Sequence, residues 1–128
     1  MKSDTFTVAE AAKLVGIEPG RLRGWQQHRH INFGTKGITG RYRFSIRDLR
    51  VIALMVRLVD HGFEPGIAAF KAKTIVDRSK GWPLVAVFSR DPKVSPCLVP
   101  EDVMPQTDAV IVVPLGPLFS ELDERAGR

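Results

Sequence analysis

Five residues constrain this chain most: Ala12, Gly16, Ile17, Leu22 and Trp25. A small residue allows two helices to cross closely. Gly16 is suited to the left-handed conformation that ends a helix. Leu22 and Trp25, three apart, face one way on a second helix. The spacing predicts a helix-turn-helix, and the rest of the stretch from Thr7 to Asp48 is organised around it.

Local signals frame both helices. Thr7-Val-Ala-Glu10 is a capping box, in which the Thr7 hydroxyl accepts from the backbone N–H three residues on and Glu10 reaches back. It opens a helix to about Val15 that buries Val8, Ala11, Ala12 and Val15. Gly16-Ile17-Glu18 forms the turn. Pro19 suits the first helical position, where its missing N–H costs nothing, and the helix runs to about His28.

The faces of that second helix separate cleanly. Leu22 and Trp25 point one way, and Gly20, Arg23, Gly24 and Gln27 the other. Each glycine costs about 1 kcal/mol relative to alanine, which suggests close approach of another surface. Arginine can bond guanine, and glutamine adenine, through two hydrogen bonds each. Arg23 and Gln27 are therefore candidate base readers, with Arg21 and Gln26 flanking them as candidate phosphate contacts. A plain solvated face is the alternative.

Ile31-Asn-Phe33 and Tyr42-Arg-Phe44 alternate as half-buried strands do, around a Gly- and Thr-rich segment from Gly34 to Gly40 with Lys36 near its tip. This predicts a hairpin wing. If Tyr42 and Phe44 face the core, Arg41 and Arg43 face out together toward phosphates or a minor groove. Ser45-Ile-Arg-Asp48 is a second capping box variant, opening a helix through about His61 that Gly62 ends. Val51 to Val56 is unbroken apolar sequence, more than one face needs, so part of it should meet a partner or the second half. Pro65 begins another helix to about Arg78, expected to bury Ile67, Phe70 and Ile75.

Here a resemblance can be stated. Leu22-Arg23-Gly24-Trp25, Gly40-Arg41-Tyr42-Arg43-Phe44-Ser45, Asp48-Leu49 and Gly62-Phe63 make residues 5–73 similar to the DNA-binding domain of the MerR family. That resemblance implies a winged helix-turn-helix followed by two helices, with Arg23, Arg41, Tyr42 and Arg43 meeting DNA. Gly24 stands where the family carries an aromatic. Counting back from Asp48 puts Tyr42 at the family's wing arginine, so the resemblance leaves open which wing arginine takes that role. The family's long dimerisation helix is missing, because six prolines between Pro92 and Pro117 exclude one there. Instead, Leu84–Phe88, Leu98-Val99 and Ala109–Val113 have strand composition without alternation, as strands covered on both faces do. Pro117 is expected to open a terminal helix with Leu118, Phe119 and Leu122 on one side.

The predicted fold is mainly α with small β: a winged helix-turn-helix with two further helices over residues 1–80, then a small α+β element over 81–128. Charge divides the same way. Residues 1–80 hold 15 Lys/Arg against 7 Asp/Glu, a net +8, while residues 81–128 hold 4 against 7, a net −3. A basic half suits a polyanion. One cysteine, Cys97, excludes an intrachain disulfide and makes a reducing cytoplasm the default. No apolar run is long enough to span a membrane. His28, His30, His61 and Cys97 have no metal-ligand spacing, and no catalytic motif or cofactor loop is present. The expectation is a non-enzymatic, cytoplasmic, bacterial or phage DNA-binding regulator without cofactor or metal. It would bind double-stranded DNA as a homodimer. The alternatives are an excisionase-like architectural factor, or a DNA-bound adaptor that recruits a protein through residues 81–128.

Overall fold

The computed structural model describes residues 5–31, 34–36, 42–78, 84–89, 96–100 and 110–127. The chain begins with β1 (Thr5–Thr7), which runs directly into α1 (Val8–Val15). The first capping box is formed: Glu10 N–H donates to Thr7 Oγ1 (3.2 Å) and Thr7 N–H donates to the Glu10 carboxylate (2.9 Å). The hydrogen bond from the Thr7 backbone holds the Glu10 carboxyl below its ordinary pKa. Gly16 ends α1 at φ 83°, left-handed as the turn requires, and its N–H donates to Ala12 O.

Helix α2 (Pro19–Gln27) starts with proline at its first position and buries Leu22 and Trp25, the face read from the sequence. After it come β2 (Thr35–Lys36) and β3 (Tyr42–Ser45). The wing strand lies later than the expected Ile31–Phe33. Ile31 is instead a buried core residue outside any strand, and residues 32–33 lie outside the described residues. The wing also gains a strand: the sheet order is β1-β3-β2, antiparallel, with Phe6 opposite Phe44 and Thr7 opposite Arg43. Phe6 and Phe44 are both buried. At Gly34, φ 99°, an added Cβ would stand 3.0 Å from the Phe44 ring, so glycine is required both by conformation and by space.

The second capping box, Ser45 with Asp48, starts α3 (Ile46–Asp60). Leu49, Val51, Ile52, Ala53, Leu54, Met55 and Leu58 are all buried along it. So wide a buried surface needs cover on two sides. Helix α4 (Pro65–Arg78) supplies one, packing through Ala68, Ala69, Ala72, Ile75 and Val76. Phe70 was expected in that face and is 73% exposed. At 100° per residue it lies about 200° from Ala68 and Ala72. The alanines, which let two helices approach closely, decided the inward face.

The second cover comes from the C-terminal element: β4 (Leu84–Ser89), β5 (Cys97–Pro100), β6 (Val110–Pro114) and α5 (Leu115–Arg125). The strands form an antiparallel sheet in the order β5-β4-β6. Helix α5 begins two residues before the expected Pro117, which fits within the first turn because the N–H groups there have no helical acceptor. Its buried residues Leu115, Phe119 and Leu122 join Ala86, Phe88 and Val113 in the same apolar cluster as Leu22, Phe44 and Leu54. Polar ties follow the same seam. Arg50 donates to Asp123 (3.1 Å) and lies 5.8 Å over the Phe119 ring. Arg125 donates to Leu14 O (3.4 Å). The apolar excess of α3 is thus met by the second half of the chain.

Candidate nucleic-acid interface

Helix α2 presents a polar face away from the core. Arg23 and Gln27 are exposed, Gln26 is half-buried, and Arg21 is exposed. A Cβ at Gly20 or at Gly24 would meet nothing within 4 Å. The fold itself therefore has no steric need for glycine at either place, and the face is open to another molecule.

The wing completes a concavity of about 800 Å³ lined by Val8, Arg23, Gln26, Gln27, Arg29, Ile31 and Tyr42. Three of the α2 residues singled out from the sequence, Arg23, Gln26 and Gln27, share this groove with Tyr42. Tyr42 was expected to face the core and is 43% exposed. Phe44 alone of that strand face is fully covered, because Phe6 of β1 packs beside it.

The expected outward pairing of Arg41 and Arg43 does not hold for Arg43. Its Nε donates to Thr5 Oγ1 (2.7 Å) and its guanidinium to Thr5 O (3.2 Å). The cause is β1, whose pairing with β3 places acceptors beside Arg43. Arg41 lies outside the described residues. Lys36 is placed in β2 opposite Tyr42 by register. Arg21 lies 4.9 Å over the Trp25 ring and 3.6 Å from Asp60. An exposed ion pair of this kind is worth about 0–1 kcal/mol, little enough for a phosphate to displace it.

Arg29 was missed. It stands at φ 58°, the one non-glycine residue in the left-handed region among the described residues. It follows the C-cap of α2, with Arg29 N–H donating to Gln26 O (3.0 Å) and His30 N–H to Trp25 O (2.9 Å). This is the Schellman arrangement, in which the position is usually glycine. The His30 ring packs against the start of α4, since a Cβ on Gly66 would lie 3.3 Å from its Nδ1. An arginine held where glycine is preferred costs about 1–2 kcal/mol, and its side chain lines the groove. Arg29→Gly is expected to raise the melting temperature, by a stability gain of about 0.5–1 kcal/mol once the freer unfolded chain is counted. The same change should weaken duplex binding and lower its salt slope by about 0.9. Unchanged affinity would remove Arg29 from the interface.

A helix-turn-helix with a wing beside its second helix, both lining one basic groove, defines a winged helix-turn-helix of the DNA-binding class. Residues 6–68 match the model of the MerR HTH family regulatory protein, so the N-terminal half of the chain is a MerR-family domain. Among solved structures, one similar chain is HiNmlR, described as a MerR family regulator lacking the sensor domain, bound to promoter DNA. It is 24% identical, with a TM-score of 0.48, and the similarity covers 59% of this chain and 57% of that one. No curated protein matches the chain. No helix among the described residues is long and apolar enough to cross a membrane.

Proposed function

We propose that the chain is a sequence-specific DNA-binding transcriptional regulator that engages double-stranded DNA as a homodimer. The observation that carries this reading is the groove itself. The open, glycine-bearing face of α2 and the wing meet there, with Arg23, Gln27 and Arg29 directed to one side. In this reading α2 enters the major groove and Arg23 and Gln27 read base edges. Arg21, Gln26, Arg29, Lys36 and Arg41 hold phosphates. Tyr42 packs against the sugar-phosphate wall, and Arg43 stiffens the wing through Thr5 so that it keeps its distance from α2.

The test begins with selection of a preferred duplex from a random pool. Arg23→Ala should then weaken the selected duplex by about 1–3 kcal/mol and flatten preference at one base pair. An equal loss on selected and scrambled duplexes would make Arg23 a phosphate contact. If selection enriches no sequence, specificity falls.

A further inference from the structure

We propose that β6 is the edge along which a second copy of this chain pairs, antiparallel about a two-fold axis, so that two three-stranded sheets become one of six. The need for two copies rests on the DNA-binding reading above, because a single winged domain offers one half-site.

In the order β5-β4-β6, the central strand is bonded on both sides and, among the described residues, the outer two are edges. The edges are not alike. Strand β5 is preceded by Pro96 and ends at Pro100, and proline withholds the donor that a new neighbour would need. Strand β6 runs Val110-Ile111-Val112-Val113 with no charge, and its first proline is Pro114. An uncharged, β-branched edge is a template for another strand. The strand is also its own complement. Turned about a two-fold axis, it sets β-branched residues beside β-branched residues and places no like charges together.

Exposure points to the same place. Among the described residues three large apolar side chains are exposed: Tyr42, Phe70 and Val112. Tyr42 lies in the DNA groove. Phe70 stands on α4 among Lys73, Thr74 and Asp77. Val112, 38% exposed, is on β6 itself, on the face away from Ala86, Phe88 and Val113. The rival surface, Val51–Val56, is taken up within the chain: Val51 to Met55 are buried, and Ala53 and Val56 lie with Leu118 and Leu122 of α5. A pair of short strands buries less than the roughly 1,200–2,000 Å² of a stable interface. The dimer is therefore weak in free solution and strengthened when two half-sites on one duplex hold the copies together.

The experiment is sedimentation velocity of the full chain without DNA, over a concentration series reaching the millimolar range. The wild type should shift from monomer toward dimer. Val112→Lys and Val112→Glu should each stay monomeric with an unchanged circular dichroism spectrum, and an equimolar mixture of the two should regain the dimer. A wild type that stays monomeric throughout overturns the proposal. So does a dimer that survives Val112→Lys, and one lost instead in Phe70→Ser moves the interface to α4. A wild type that dimerises yet binds no duplex supports the interface and sinks the DNA reading.

Discussion

Replacing Phe119 by alanine is expected to cost about 3–5 kcal/mol and to destabilise the DNA-binding half together with the C-terminal element. Phe119 is buried within the cluster that also holds Leu22, Phe44 and Leu54. Truncation leaves a cavity against α3 and removes the ring beneath the Arg50 guanidinium. Domains of this size are commonly stable by about 5–15 kcal/mol, so the loss is a large share. Urea unfolding followed by circular dichroism and by tryptophan fluorescence should give one shared transition with its midpoint lowered. A helix-turn-helix transition that stays at its wild-type midpoint while the C-terminal signal is lost separately would show two independent cores. The same logic applies to truncation after Lys80, which strips α5 from Arg50, Ala53 and Val56 and should leave an aggregating fragment.

Raising salt fourfold is expected to weaken the binding of each subunit to its half-site by roughly 150-fold, if about four phosphates are neutralised per subunit at 0.9 log units each. The segment Glu18–Arg50 holds eight Lys/Arg and two Asp/Glu. Arg21 and Arg29 are exposed on or beside the groove, the proposed contacts Lys36 and Arg41 complete the count, and Arg23 is left out as a base reader. Arg43 is left out because its guanidinium bonds Thr5. A titration at several salt concentrations reads the slope directly. A slope near zero would argue against polyanion binding altogether. A slope reduced by about one unit in Arg43→Ala would return Arg43 to the phosphate set.

Much of the DNA-binding half was legible from neighbours within four residues of one another. Both capping boxes formed, Gly16 took the left-handed turn, Pro19 opened α2, and Leu22 and Trp25 turned inward. Each of these depends on hydrogen bonds or side-chain directions internal to one helix or turn, so residue types and spacing suffice. The α2 residues of the groove were legible for the same reason, since helical periodicity alone puts Arg23 and Gln27 on one face.

What the sequence did not disclose was decided by contacts between distant segments. Arg43 turned inward because Thr5, 38 positions earlier, became its strand neighbour. The Arg41-Tyr42-Arg43 stretch carries no signal of that pairing, although the alternation Thr5-Phe6-Thr7 ahead of the capping box is a strand pattern. Phe70 turned outward because the alanines of α4 allow closer packing on α3 than a phenyl ring would. Arg29 entered the groove through a left-handed position that composition marks for glycine or asparagine. Local pattern determined the helices, their caps and the reading face. The identity of α5 as the cover for α3, fastened by Arg50 to Asp123 across 73 positions, was decided by tertiary structure, because an unbroken apolar run declares that it must be buried but not by what.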